Sequence, residues 1–244
     1  MGHYVSNLHN GSLAQTPTAW IFLGVLLPVA ALLAAVWLQP WIPVAHLLRD
    51  PLVVAREAPR CCSVYYGAVS NLGIVLWMAT ASICLFTAAM AFAARAERSR
   101  AVFFLAGGLF TLALGLDDLF LIHEDVLPYF GVPQGVVYGA YAATGVVYLL
   151  ASWRFILAGR PSLFLVAGLG LAGSMGLDAL VQSEAPLWVF LEDALKFVGI
   201  AFWAGFHVTA AATTAEALAT GRVTTVAVSS ARLVRRLAPD GLAS

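Results

Sequence analysis

Six long apolar runs constrain this chain more than any other feature of its sequence. A helix needs roughly 20 apolar residues to cross a hydrocarbon core of roughly 30 Å, and the runs cover residues 19–38, 72–94, 101–122, 135–157, 162–181 and 187–213. Because lipid cannot satisfy open backbone N–H and C=O groups, the runs must be helices. We therefore predict an all-α polytopic transmembrane bundle of about six spans, a single integral membrane domain over residues 1–244 with a cytoplasmic tail at 214–244.

Composition supports a membrane protein and argues against nucleic-acid binding. Hydrophobic residues make up 61% of the chain and charged residues 11%, against about 45–50% and about 25% in globular domains. Thirteen basic residues balance thirteen acidic ones, so no basic surface for nucleic acid is indicated. The predicted partners are the lipid bilayer and other membrane subunits or a second copy of the chain.

Basic residues in the short loops predict the orientation of the spans. Arginines fall between spans two and three, between spans four and five, and in the tail, so these regions are expected in the cytoplasm. Arg49, Arg56 and Arg60 conflict with this pattern, because parity places the first loop outside. Arginine as almost the only cation, in an Ala-, Gly-, Val- and Leu-rich chain, indicates a GC-rich bacterial genome and hence the bacterial inner membrane.

The first loop, residues 39–71, is the irregular part of the chain. Arg49 and Arg56 are seven residues apart, as are Asp50 and Glu57, so a helix there would carry its charges along one face. Three prolines interrupt the segment. The pattern predicts an interfacial helix between spans one and two, with an ordinary polar connection as the alternative.

Acidic residues gather at the predicted extracytoplasmic end of spans three, five and six. They are Asp117, Asp118, Glu124, Asp125, Asp178, Glu184, Glu192 and Asp193, and His123 and Lys196 lie among them. Charges inside a bilayer cost several kcal/mol unless they are paired or used. This cluster is therefore the candidate functional centre.

Helical periodicity predicts how some of these groups are arranged. Asp117 and Glu124 share a face if span three continues, whereas His123 joins the carboxylates only if the helix ends or unwinds near Ile122. On span six, Glu192 precedes Lys196 in the favoured i, i+4 order. Tyrosines near the start of span four are expected to form an interfacial aromatic belt.

Carboxylates with one imidazole favour a divalent metal whose identity the residues leave open. The predicted ligands are Asp117, Asp118, Glu124, Asp178, Glu192 and Asp193. His123 is predicted as a ligand or acid/base, and Lys196 as the group that stabilises developing negative charge. Together they predict metal-dependent hydrolysis of a lipid-like substrate, with no further cofactor site.

Other functions fit the same residues. The cluster also suits a structural network neutralised by Lys196. The whole chain also suits a non-catalytic subunit or assembly factor whose glycine-rich faces pack on a partner, and a proton- or cation-coupled transporter would load its coupling ion on these acids. The sequence does not decide whether the protein is an enzyme.

Three segments carry a resemblance to known sequences. Residues 65–73 (YYGAVSNLG), 116–124 (LDDLFLIHE) and 191–199 (LEDALKFVG) resemble a group of uncharacterised bacterial multispan membrane proteins, over roughly spans two to six. Ser70, Asp117 or Asp118, and His123 are similar to the zinc ligands of alkaline-ceramidase-like hydrolases, and Glu192 and Lys196 to the acid and lysine of microbial rhodopsins. Both families have seven spans, and the ceramidase-like family has paired histidines in its last span, where this chain has only His207.

Overall fold

The computed structural model describes residues 16–57, 62–181, 183 and 185–220, and within them the fold is all-helical. The helices are α1 (Thr18–Leu38), α2 (Val44–Leu48), α3 (Pro51–Glu57), α4 (Ala68–Ala93), α5 (Arg98–Phe120), α6 (Leu127–Tyr129), α7 (Gln134–Ala158), α8 (Pro161–Leu180) and α9 (Pro186–Ala219), with a π-helical turn at Ile122–Val126. Each predicted apolar run overlaps one long helix. The predicted all-α helical bundle is confirmed.

Five of these helices, α1, α4, α5, α7 and α8, are long and apolar enough to cross a membrane. The chain is therefore a multi-pass membrane protein. The predicted sixth span lies in α9, which is 34 residues long and is not one of those five. Helix α9 continues to Ala219, into the predicted tail. Residues 221–244 lie outside the described part of the chain.

The first loop contains two short helices where one was predicted. Asp50 separates α2 from α3, because a residue before proline is disfavoured in helical geometry and Pro51 follows. The Asp50 carboxylate accepts a hydrogen bond of 2.8 Å from the Leu52 backbone N–H at the start of α3. Arg49 follows the end of α2 in extended geometry and Arg56 lies on α3, so the predicted single charged face is not formed.

Helix α9 lies at the centre of the bundle. It packs on α1, α2, α4 and α8, and Phe202, Phe206 and His207 on it are fully buried. Close contact with α8 depends on small residues: a Cβ on Gly170 would lie 2.8 Å from the Gly199 backbone nitrogen. A central helix of this kind can position polar side chains against several neighbours at once.

Polar side chains in the core form hydrogen bonds with other core residues. The Trp203 indole donates a hydrogen bond of 2.9 Å to Thr111, and His207 Nε2 lies 2.9 Å from the Tyr148 hydroxyl. His207 Nδ1 lies 3.0 Å from the Trp203 carbonyl oxygen. His207 therefore pairs within the core.

Candidate functional site

The acidic end of the bundle is the end that carries Asp117, Asp118, Asp178 and Glu192. Helices α5 and α8 finish there, and α7 and α9 begin there. The segment containing α2 and α3 contributes Arg49 and Arg56. Polar side chains from separate parts of the sequence thus meet at one end of an otherwise apolar bundle.

The interruption of the helix after α5 determines the position of His123. Leu121 has φ 50° and ψ 44°, a left-handed conformation that costs a non-glycine residue roughly 1–2 kcal/mol. Its side chain is buried, which offsets part of that cost. The helix therefore ends at Phe120, and the π-helical turn leads His123 back towards Asp117. The predicted shared face of Asp117 and Glu124 is consequently not formed.

Asp117 holds His123 through both of its carboxylate oxygens. Oδ1 accepts a hydrogen bond of 2.9 Å from the His123 backbone N–H, and Oδ2 pairs with the ring Nδ1. Both side chains are buried, with exposed fractions of 8% for His123 and 5% for Asp117. The imidazole is therefore held in one orientation, with Nδ1 committed to Asp117.

The opposite ring nitrogen faces Glu124, with 3.4 Å between Nε2 and Oε1. Burial alone would lower the pKa of His123, but hydrogen bonds to Asp117 and Glu124 outweigh it and raise the pKa to about 9. The hydrogen bond from His123 in turn holds the pKa of Glu124 below its usual range. At neutral pH the ring is therefore an imidazolium between two carboxylates, and the Glu124 side chain is 36% exposed.

Lys196 pairs with Asp118, which corrects the predicted pairing with Glu192. Its Nζ lies 2.8 Å from Asp118 Oδ1, while the Trp77 indole donates a 2.9 Å hydrogen bond to Oδ2 of the same carboxylate. The i, i+4 spacing permits a bond to Glu192 but does not require it. Asp118 on the adjacent helix is the less exposed partner, at 11%, so pairing it relieves the larger desolvation cost.

Asp178 meets the start of α7. The Tyr138 hydroxyl donates a 2.5 Å hydrogen bond to Asp178 Oδ2, and the Gln134 amide donates one of 2.7 Å to the Tyr138 hydroxyl oxygen. The Tyr138 ring also lies 5.2 Å from the His123 ring, centroid to centroid. Tyr138 therefore belongs to the polar centre, although the sequence predicted an aromatic belt at this position.

The remaining predicted site residues in the described part of the chain, Glu192 and Asp193, lie among charged groups. Glu192 has four electrostatic neighbours, which are Asp178, Asp193, Lys196 and Arg49. Asp193 has Lys196 and Arg49 as its neighbouring cations. Glu184 lies outside the described residues.

Within the described ranges, no three His, Cys, Asp or Glu side chains come together as a group that could hold a metal ion. Of the predicted ligands, Asp117 and Asp118 are engaged by His123 and by Lys196 with Trp77. Asp178 accepts a hydrogen bond from Tyr138, and Glu124 lies 3.4 Å from His123 Nε2.

Sequence reasoning missed Trp77, Gln134 and the bridge between Arg56 and Asp125. That bridge is bidentate, with N–O distances of 3.1 Å and 2.5 Å, and it ties α3 to the π-helical turn. The seven-residue spacing of Arg49 and Arg56 had indicated a charged face, but no pattern in the sequence pointed to Asp125 as the partner.

The fold and this centre define a multi-pass membrane protein with a buried acid–imidazole pair at one end of its bundle. The family described as Domain of unknown function (DUF8692) matches residues 20–210. The chain belongs to that family, and the matched region contains every predicted site residue. No curated protein and no solved structure matches the chain.

Proposed function

We propose that the protein is a bacterial inner-membrane hydrolase of a lipid-like substrate, with His123 as its proton donor. One observation carries the proposal: Asp117 binds Nδ1 of His123, while Nε2 lies 3.4 Å from Glu124 on the more exposed side. A carboxylate that fixes one nitrogen of an imidazole and leaves the other for a reacting group is the arrangement that acid–base catalysis requires.

The protonation states favour a definite division of roles. His123 is cationic at neutral pH, since its pKa is about 9, and Glu124 is anionic because its pKa is lowered. Glu124 accepts a proton from the attacking water, and His123 Nε2 donates one to the leaving oxygen or nitrogen. Because the two groups are adjacent, the proton then passes from Glu124 to His123 Nε2, and both groups return to their starting protonation states.

The surroundings favour a substrate that arrives from the lipid phase. Phe120, Tyr129 and Phe130 flank the π-helical turn, with exposed fractions of 58%, 85% and 74%. Large exposed apolar side chains at a membrane interface suit contact with acyl chains and headgroups. A lipid-like molecule lying among them would present its headgroup to His123.

The test is a comparison of lipid turnover by the full chain and its variants in nanodiscs. Bacterial lipids are incubated with each protein and the products are measured by mass spectrometry. His123→Asn and Asp117→Asn are expected to lower turnover by about 10²-fold or more. Asp125→Asn is the matched control, because Asp125 is a nearby carboxylate bound by Arg56. Full turnover in His123→Asn, or none in the wild type, would refute the assignment.

A divalent-cation site is the second candidate function for this end. Glu192 has two carboxylates, Asp178 and Asp193, among its electrostatic neighbours, and a cation would relieve their mutual repulsion. Elemental analysis of the purified protein tests it against Glu192→Gln/Asp193→Asn and Asp117→Asn/Asp118→Asn variants. A stoichiometric metal lost only in the first variant supports this site, and loss only in the second favours the ligands first predicted. No metal in the wild type would refute both.

A further inference from the structure

Helix α7 covers His123. The Tyr138 ring on α7 lies 5.2 Å from the His123 ring, centroid to centroid, and the His123 side chain is only 8% exposed. For the proposed hydrolysis, the leaving group of the substrate must come within hydrogen-bond reach of Nε2. Because so little of His123 is exposed, the site has to open before a lipid headgroup reaches it.

The two halves of α7 are held in the bundle in different ways. No side chain from residue 138 to residue 147 is buried. The buried residues of this helix are Val137, Tyr148, Ser152 and Ile156, so the second half is anchored in the core, where the Tyr148 hydroxyl lies 2.9 Å from His207 Nε2. Helices in a membrane gain little from apolar burial, because lipid tails are as apolar as the side chains they would replace. The first half of α7 therefore depends on polar bonds for its position.

Tyrosine hydroxyls supply those polar bonds. Tyr138 donates a 2.5 Å hydrogen bond to Asp178 on α8, and Tyr141, one turn further on, hydrogen-bonds to Asp117 on α5. In the loop before α7, Gly131 has a φ of 83° and open space around it, so this loop leaves the helix room to tilt. Two tyrosine–carboxylate bonds thus hold the first half of α7 against its neighbours.

We propose that α7 is a lateral gate and that the bond between Tyr138 and Asp178 is its latch. When this bond breaks, the first half of α7 tilts away from α8 about its anchored second half, and the Tyr138 ring leaves His123. The opening faces the lipid phase, because α7 exposes the apolar residues Val136, Val146 and Val147 on its outer side. The gate rests on the proposed function, since it is the route by which a lipid headgroup reaches Nε2.

The experiment measures distances between spin labels on α7 and α8 by double electron–electron resonance. It uses the full chain in nanodiscs, with the native cysteines replaced by serine. One pair, Gly139→Cys with Gly176→Cys, reports on the latched half, and both glycines have open space for a label. The other pair, Leu150→Cys with Leu169→Cys, reports on the anchored half, and both leucines are exposed.

Two tyrosine variants are compared with the wild type in each labelled pair. Tyr138→Phe removes the hydrogen bond to Asp178 but keeps the aromatic ring. Tyr148→Phe is the matched control, because it removes a tyrosine hydroxyl of the same helix that bonds to His207 instead. Thermal unfolding of each labelled protein reports whether it folds. If Tyr138→Phe fails to fold, Asp178→Ala removes the other partner of the same bond.

We expect Tyr138→Phe to raise the population with the longer distance between positions 139 and 176 by about fivefold, as the loss of one interhelical hydrogen bond predicts. The distance between positions 150 and 169 should not change. Tyr148→Phe should leave the distance between positions 139 and 176 as it is in the wild type. Equal distance distributions in the wild type and Tyr138→Phe, or the same change in Tyr148→Phe, would overturn the gate.

Lipid turnover by the same proteins separates the gate from the hydrolase, because the distances do not depend on activity. Opening between positions 139 and 176 in a protein without turnover would support the gate and refute the hydrolase. A reducible cross-link between Tyr138→Cys and Asp178→Cys should abolish turnover until it is reduced. Turnover at the wild-type rate with this cross-link in place would overturn the gate and leave the hydrolase standing.

Discussion

The ion pair of His123 predicts a stability that depends on pH. The folded protein raises the pKa of His123 from 6.5 to about 9 through hydrogen bonds that outweigh burial. Because the folded value is above the unfolded one, the resulting stabilisation is complete below pH 6.5 and is lost as pH rises through about 9. Replacing His123 by Gln should remove this part of the pH dependence.

The size of this stabilisation follows from the difference between the unfolded and folded pKa values of His123. A tenfold change in proton affinity corresponds to about 1.4 kcal/mol, so this difference represents about 3 kcal/mol. The His123 side chain is only 8% exposed, which limits screening by solvent. The melting temperature of a chain of this size changes by about 2–4 °C per kcal/mol. Between pH 6 and pH 9.5, the melting temperature of the wild type should therefore fall by about 6–12 °C more than that of His123→Gln.

Thermal unfolding in detergent, followed by tryptophan fluorescence at the two pH values, measures this difference. The matched control is His46→Gln, since the His46 ring packs edge-to-face on Tyr66. That variant keeps His123 and should retain the part of the pH dependence that comes from it. Equal losses of melting temperature in the wild type and in His123→Gln would refute the reasoning.

Two further predictions concern stability. Lys196→Met should lower the free energy of unfolding, measured by denaturant titration, by about 2 kcal/mol. The substitution leaves the carboxylate of Asp118 without its cation, and the loss is moderate because the lysine side chain is partly exposed. An unchanged midpoint would contradict this. Gly107→Ala should cost about 1–3 kcal/mol in the same assay, since its methyl group would lie 2.8 Å from the Tyr148 hydroxyl. Gly168→Ala has open space around it and should be neutral, so equal effects of the two substitutions would refute the packing argument.

Much of the fold was predictable because the bilayer restricts a long apolar segment to one structure. The helices follow the apolar runs to within a few residues, and α4 and α5 are examples. The two short helices of the first loop were less accessible to prediction. Their boundary depends on Pro51 and on the Asp50 carboxylate that bonds to Leu52, which are local effects that a charge pattern does not report.

The gathering of charged residues at one end could also be predicted, since position along a helix follows from residue number. Their pairing could not. Whether Lys196 bonds to Glu192 on its own helix or to Asp118 on α5 depends on the rotation of α9 against its neighbours. That rotation is set by packing contacts such as Gly170 against Gly199, which involve residues far apart in sequence.

The sequence by itself therefore determined the helices and the end at which the polar residues meet. Only the tertiary structure decided which groups touch, and the left-handed Leu121 is the clearest case. Leucine has no local preference for that conformation, so no local signal predicted the break. Burial of the Leu121 side chain and the bonds from His123 to Asp117 stabilise it, and these contacts exist only in the folded bundle.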